Sequence, residues 1–115
     1  MVDQKKLGIE IDLLHTRICY ALADPTRILS LYHLAEAPLY VNELVEKLQI
    51  PQSTISRHLR VLRERSLVET KRDGAAIRYT LSEPRIIDAL DIMRAILSTQ
   101  LATSVEIAQT LSEED

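Results

Sequence analysis

The chain of 115 residues is the size of one small domain, and its hydrophobic fraction of 46% is enough for a modest core. It has no Phe and no Trp, so the core is expected to be aliphatic with a few tyrosines. One cysteine excludes an internal disulfide and agrees with a reducing compartment. The start lacks a signal-peptide core, and no apolar run reaches the ~18 residues of a membrane span, which predicts a cytoplasmic protein without a membrane partner.

The first part of the chain is predicted to form two helices. Apolar residues recur with helical spacing over about residues 7–22, at Leu7, Ile11, Leu14, Ile18 and Leu22. A second helix is expected from Pro25, because Asp24 is a good N-cap and proline suits the first helical position. It should end before Pro38 and bury Ile28, Leu31 and Leu34.

Two further helices are predicted on either side of a three-residue turn. The first is short, with Asn42 as a possible N-cap and Leu44, Val45 and Leu48 on its buried face. The second follows Pro51 and covers "QSTISRHLRVLRER", residues 52–65. This arrangement is a helix-turn-helix, over about residues 41–65.

Two strands and a long helix complete the predicted order. The strands are joined around Asp73-Gly74, a hairpin signal, although the charged flank favours a longer loop. They form a wing over about residues 67–81. Ser82 can cap a last helix over about residues 84–111, with Pro84 in its first turn. An apolar stripe runs along it: Ile86, Leu90, Met93, Leu97, Leu101, Val105 and Ala108. No other predicted element is left to cover this stripe, so a partner subunit is expected.

Charge is distributed unevenly along the chain. Residues 50–80 carry seven basic side chains and three acidic ones, whereas the remainder carries seven basic and fourteen acidic ones. A basic segment in an acidic protein indicates a local anionic partner, although a solvated charged face is an equally common explanation.

The two faces of helix 52–65 favour DNA as that partner. Ile55, Leu59 and Leu62 fall on one side of the helix, and serines and arginines fall on the other. A helix fits the major groove, where arginine can bind guanine through two hydrogen bonds and Gln52 can bind adenine. The predicted DNA-binding residues are Gln52, Ser53, Thr54, Ser56, Arg57, Arg60 and Arg63 in the helix, with Lys71, Arg72 and Arg78 in the wing. His58, beside the apolar stripe, is expected to be a packed, hydrogen-bonded structural residue.

The segments "ALADPTRILSLYHL" and "QSTISRHLRVL", with the wing and the long last helix, resemble the ArsR/SmtB family of winged-helix repressors over roughly residues 15–100. The resemblance implies a mainly α fold with a small β-hairpin, in one domain covering residues 1–115. It also implies a homodimer built through the first and last helices, which binds double-stranded DNA at an inverted-repeat operator. Repression would be relieved when an effector binds or a thiol reacts.

The metal-sensing sites of the family are not matched. Where many members have "C-V-C-D-L", this chain has "YVNEL", so Tyr40 and Asn42 replace the thiols that soft ions need. The last helix contains Asp88 and Asp91 but no histidine, which removes the family's zinc ligands there. No cofactor is therefore assigned from these positions.

One weak sensor candidate remains in the first helix. His15 and Cys19 are four residues apart and should face the same side, so two subunits could supply a metal site or an activated thiol. A small buried cysteine beside a partly exposed histidine is the more common arrangement.

Three functional classes follow from these patterns. The leading hypothesis is a sequence-specific transcriptional repressor that is released by an effector. The alternatives are a winged-helix module that binds proteins, or a thiol-responsive repressor acting through Cys19. An enzyme is not expected, because no catalytic triad and no glycine-rich phosphate loop can be identified.

Overall fold

The computed structural model describes residues 3–113, which form two compact units that divide after Pro84. The first unit contains four α-helices, a π-helical turn and a three-stranded antiparallel sheet, and the second is one long helix. The elements are α1 Gln4–Leu14, a π-helical turn His15–Cys19, α2 Pro25–Glu36, β1 Leu39–Tyr40, α3 Val41–Leu48, α4 Gln52–Glu64, β2 Val68–Asp73, β3 Ala76–Leu81 and α5 Arg85–Glu113. The predicted class, mainly α with a β-hairpin, is confirmed. No helix among residues 3–113 combines the length and apolarity needed to cross a membrane.

Helix α2 begins where its capping residues predict. The Asp24 carboxylate accepts hydrogen bonds from the backbone N–H groups of Thr26 and Arg27, at 2.8 and 3.3 Å, and Pro25 occupies the first helical position. Of the residues expected to face inward, Leu31 and Leu34 are buried and Ile28 is half-buried.

The turn between α3 and α4 has three residues, as predicted. Gln49 adopts a left-handed conformation with φ of 55°, and its N–H donates to the Val45 carbonyl. The proposal of Asn42 as an N-cap is wrong, because α3 already begins at Val41. The cap is Tyr40, whose backbone N–H donates to the Glu43 carboxylate at 2.9 Å. Pro51 lies one residue before α4.

The sheet has the strand order β1-β3-β2, and β2 and β3 form the predicted hairpin. The longer loop expected at its end is wrong. Asp73 pairs with Ala76, so only Gly74 and Ala75 form the turn, and Gly74 has the positive φ of 64° that glycine tolerates easily. Strand β1 was not predicted, because two residues are too few to show an alternating pattern.

The side chains of the sheet divide between two faces. Leu39 of β1 and Val68 of β2 are buried on the inner face, where Tyr79 and Leu81 lie opposite them. Lys71, Asp73 and Arg78 alternate onto the outer face with Tyr40. The core of the first unit is aliphatic, as expected, and includes Leu31, Leu44, Ile55, Leu59, Leu62, Leu67 and Val68.

Both terminal helices expose apolar side chains in the single chain. In α1 these include Leu7, Ile11 and Leu14 of the predicted stripe, together with Ile9 and Leu13. In α5, Ile86 and Leu90 are buried, but from Met93 onward the predicted stripe is exposed. Leu97 and Leu101 keep 53% and 58% of their surface accessible. The prediction of Ser82 as the cap of α5 is wrong, because the helix begins at Arg85. The Ser82 hydroxyl donates to the Ser66 carbonyl instead.

Candidate nucleic-acid interface

Helix α4 presents one buried face and one polar, cationic face. Ile55, Leu59 and Leu62 are fully buried, which confirms the predicted apolar frame. Most of the predicted DNA-binding residues of this helix lie on its exposed surface: Gln52, Ser53, Arg57, Arg60 and Arg63 are exposed, and Thr54 and Ser56 are half-buried. The exposed face starts at the N-terminal end of the helix, where short side chains permit a close approach to another surface.

A hydrogen-bonded network attaches this helix to α2. The Arg27 guanidinium donates to the carbonyls of Tyr20 and Ala21, both at 2.8 Å, and to His58 Nδ1 at 3.1 Å. Because a guanidinium is only a donor, Nδ1 must be the acceptor and Nε2 must carry the hydrogen. Nε2 lies 3.7 Å from the Asp24 carboxylate. The prediction of a buried, hydrogen-bonded His58 is confirmed.

Tyr20, the residue that follows the π-helical turn, contacts the residue at the end of α4. The guanidinium of Arg65, the residue that follows α4, lies 5.0 Å from the centre of the Tyr20 ring, and that of Arg27 lies 5.3 Å from it. Both are within cation–π range. The position of α4 is thus fixed near its middle by His58 and beyond its C-terminal end by Arg65.

The pKa of His58 is lower than that of an ordinary histidine. Burial lowers its pKa below the ordinary value of 6.5, and the charges of Arg27 and Arg57 lower it further, against the opposing effect of Asp24. Burial alone would raise the pKa of Asp24, but the hydrogen bonds from Thr26 and Arg27, together with neighbouring positive charge, outweigh it and lower that pKa. A neutral imidazole facing an ionised carboxylate is therefore the arrangement at neutral pH.

We expect the free energy of unfolding to fall as the pH is lowered through His58's ordinary pKa of 6.5. The pKa of the folded state is the lower one, so the unfolded chain binds the proton first and is favoured as the pH falls. Urea unfolding at a series of pH values between about 7 and 5 measures this slope. His58→Gln should flatten it, whereas the exposed-site control His15→Gln should keep it. Equal slopes in both variants would contradict the assignment.

The arginines of the exposed face differ in their pairing. Arg60 donates from Nε to the Glu64 carboxylate at 3.2 Å, with 80% of its side chain exposed, so the pair is weak and easily replaced. Arg57 makes no ion pair with any residue from 3 to 113. Both guanidinium groups are therefore available to an anionic or base-edge partner.

The wing places its three predicted cations in different settings. Arg72 lies opposite Ile77 at the distal end of the inner face, and Lys71 lies on the outer face. Both are exposed. Arg78 is half-buried and donates from Nη2 to the Tyr40 hydroxyl and the Asp73 carboxylate, both at 3.0 Å. Arg78 therefore has partners within the chain that sequence spacing did not reveal.

His15 and Cys19 share the surface that their spacing predicted. Together with Thr16, Tyr20 and Ala23 they line one open depression on the π-helical turn, where the Tyr20 N–H bonds the His15 carbonyl. The expectation of a buried thiol is wrong for the single chain, because Cys19 is exposed. Within residues 3–113, no group of three or more His, Cys, Asp or Glu side chains is arranged to hold a metal ion.

Two structural features of the interface escaped sequence reasoning. Arg27 holds its place by donating to the carbonyls of Tyr20 and Ala21, which lie after the π-helical turn. In the sequence the neighbouring Asp24 and Pro25 predict only the start of a helix. The bonds of Tyr40 to Asp73 and Arg78 join positions more than thirty residues apart in the chain. The sequence offers no signal for these bonds beyond the presence of a tyrosine in "YVNEL" and of charged residues in the wing.

Comparison with known proteins identifies the family. Residues 24–70 match the model described as "Bacterial regulatory protein, arsR family". The HTH-type transcriptional regulator KmtR of Mycobacterium tuberculosis is 43% identical over 65 residues, which are 56% of this chain and 50% of KmtR. This chain therefore spans only half the length of that relative.

Other similarities extend over most of the chain. The crystal structure of NolR from Sinorhizobium fredii matches with a TM-score of 0.71 and 30% identity, covering 84% of this chain and 94% of NolR. The biofilm growth-associated repressor of Xylella fastidiosa is 35% identical over 99 residues, which are 85% of this chain and 82% of that repressor. With a relative matched over most of its length and a family model matched at the helix-turn-helix, the chain belongs to the arsR family of bacterial regulatory proteins.

Proposed function

We propose that the protein is a sequence-specific DNA-binding transcriptional regulator that acts as a repressor. The observation that carries this proposal is the surface of α4, which is held by its buried side and exposes glutamine, serine and arginine on the other. The repressor named among its relatives supports the direction of regulation. We assign it no enzymatic reaction, because the relatives are named as regulators, and we place its action in the cytoplasm, where DNA is accessible.

The DNA contacts are assigned from exposure and pairing. Arg57 and Arg60 read base edges in the major groove, since arginine can bind guanine O6 and N7 together, and Gln52 reads adenine. Ser53, Thr54 and Ser56 allow close approach and bind phosphates, and Arg63 contacts phosphate farther along the helix. Lys71 and Arg72 contact phosphates from the wing. Arg78 is left out of this set, because its guanidinium is bonded to Tyr40 and Asp73.

We infer that the regulator is a homodimer built through α1 and α5. Each helix exposes aliphatic side chains that water would otherwise surround, and burying them supplies the driving force for association. A dimer with twofold symmetry presents two α4 helices to two successive turns of the groove, which are ~34 Å apart. The operator is therefore proposed to be an inverted repeat.

The proposal is tested by sequencing the DNA fragments that the purified protein retains from a random pool. We expect one enriched motif with twofold symmetry, whose half-sites are separated by about one helical turn. Retention without an enriched motif would show non-specific electrostatic binding only. A wild-type protein that retained no DNA would overturn the proposed function.

A thiol-responsive mode is the second candidate, favoured by the exposure of Cys19 beside His15. Cys19 is the only sulfur nucleophile in the chain. If disulfide reagents or peroxide release DNA, we expect Cys19→Ser to abolish that release. Zinc and arsenite should not release DNA through the family's metal sites, because this chain lacks the ligands of those sites. Fluorescence anisotropy of labelled operator DNA measures the release. Release that is unchanged in Cys19→Ser would exclude this thiol.

A further inference from the structure

Three side chains form a cluster on the outer face of the sheet. The Tyr40 hydroxyl donates to the Asp73 carboxylate, and Arg78 Nη2 donates to both groups at 3.0 Å. The Arg78 guanidinium also lies 5.4 Å from the centre of the Tyr40 ring. These three residues, called the wing cluster below, are joined to one another by side-chain hydrogen bonds, and the charge of Lys71 also acts on Asp73.

The wing cluster joins the turn of the wing to the helix-turn-helix. Asp73 is the last residue of β2, immediately before the two-residue turn. Tyr40 is the residue before α3, and its N–H donates to the Glu43 carboxylate in the first turn of that helix. Only residues 49–51 separate α3 from α4. One tyrosine therefore bridges the two elements proposed to contact DNA.

The distal wing needs such a bridge. Strand β1 pairs only with Arg78 and Tyr79, so the rest of the hairpin beyond them is a two-stranded ribbon. A ribbon of two strands is marginally stable by itself. The bond from Tyr40 restrains that ribbon at Asp73, close to its turn. Ordering the wing before DNA arrives reduces the entropy lost on binding.

The charges in the wing cluster agree with a restraining role. The hydrogen bond from Tyr40 lowers the pKa of Asp73, and the positive charge of Arg78 lowers it further, so the carboxylate stays ionised and keeps accepting both bonds. Arg78 forms an ion pair with Asp73, whereas Lys71 and Arg72 are exposed and accessible to phosphates.

We propose that Tyr40 and Asp73 are positioning residues for DNA binding. Through Arg78 they hold the wing at a set angle to the helix-turn-helix, so that Lys71 and Arg72 reach phosphates while α4 occupies the groove. Arg78 serves as a structural cation within this restraint. The inference rests on the proposed function and adds to it the residues that align its two contact elements.

The decisive variant is Tyr40→Phe, which removes only the hydroxyl and retains the ring and the backbone cap of α3. We expect operator affinity to fall about tenfold or more, the usual effect of losing a hydrogen bond to a charged group. The matched control is Tyr79→Phe, on the inner face of the adjoining strand, whose hydroxyl has no hydrogen-bond partner among residues 3–113. The control should bind like the wild type.

A double-mutant cycle separates positioning from general destabilisation. In an Arg72→Ala and Lys71→Ala background both proposed phosphate contacts of the wing are already lost, so adding Tyr40→Phe should cause little further loss of affinity. An equal loss in both backgrounds would overturn the proposal, because a merely structural defect would act through α4 as well.

Hydrogen exchange tests the restraint without DNA. Tyr40→Phe should increase amide exchange in residues 71–77 and leave exchange in α4 unchanged, and Tyr79→Phe should increase neither. Unchanged exchange at the wing turn would overturn the positioning role whether or not the protein binds DNA. If the wild type retained no DNA but exchange responded as expected, the proposed function would fail while the restraint stood.

Discussion

Replacing Leu97 with glutamate is expected to dissociate the proposed homodimer. Leu97 is half exposed in the single chain and lies in the middle of the apolar stripe of α5. Twofold symmetry would place two such glutamates in one interface, and each buried, unpaired charge costs about 3–5 kcal/mol. The dimer dissociation constant should therefore rise by at least about 10³-fold. Leu101→Glu should have a similar effect.

Equilibrium sedimentation measures this change, and Thr99→Glu is its matched control. Thr99 is exposed and lies about 160° around the helix from Leu97, away from the stripe. The control should remain dimeric, and its circular dichroism should match that of the wild type and of Leu97→Glu. A wild-type protein that sedimented as a monomer at micromolar concentration would contradict the interface directly.

The second large effect is expected at α4. Arg57→Ala or Arg60→Ala should weaken operator binding by about 5- to 150-fold for each lost guanine contact, and at least one of them should relax the preferred sequence. The reason is that both arginines project from the face opposite the buried Ile55 and Leu59. Anisotropy titrations with the operator and with single-base variants measure affinity and preference together.

A wing variant provides the contrast for this experiment. Lys71→Ala removes a proposed phosphate contact, so it should weaken binding about equally on all sequences and reduce the salt slope by about one unit. Wild-type affinity and preference in both α4 variants would show that another surface reads the DNA.

Much of this architecture could be predicted because its signals are local. The Asp24-Pro25 pair marks the start of α2, and the apolar spacing of Ile55, Leu59 and Leu62 marks the buried face of α4. Glycine at position 74 indicates the hairpin turn. The predicted length of the hairpin loop is wrong, because the charged residues before Gly74 resemble a loop in the sequence. In the structure Lys71, Arg72 and Asp73 lie in β2 and are paired with β3.

The parts of the site that could not be predicted depend on contacts between distant positions. Arg27 binds two carbonyls and an imidazole that only the folded chain brings together. In the sequence Tyr40 marks only the absence of a thiol, because nothing in "YVNEL" indicates that its hydroxyl reaches Asp73. Side-chain spacing along one helix predicts which residues share a face, but it does not predict which of them find partners elsewhere.

The proposed reading of guanines by Arg57 and Arg60 is tested most directly by the coupling of each arginine to individual bases. Each operator guanine is replaced in turn by 7-deazaguanine, which lacks the N7 acceptor, and affinity is measured for the wild type and for each alanine variant. We predict that at least one replacement weakens the wild type severalfold but leaves one arginine variant unaffected, as expected when the variant has already lost that contact. Strictly additive losses for every combination of guanine and arginine would contradict the claim.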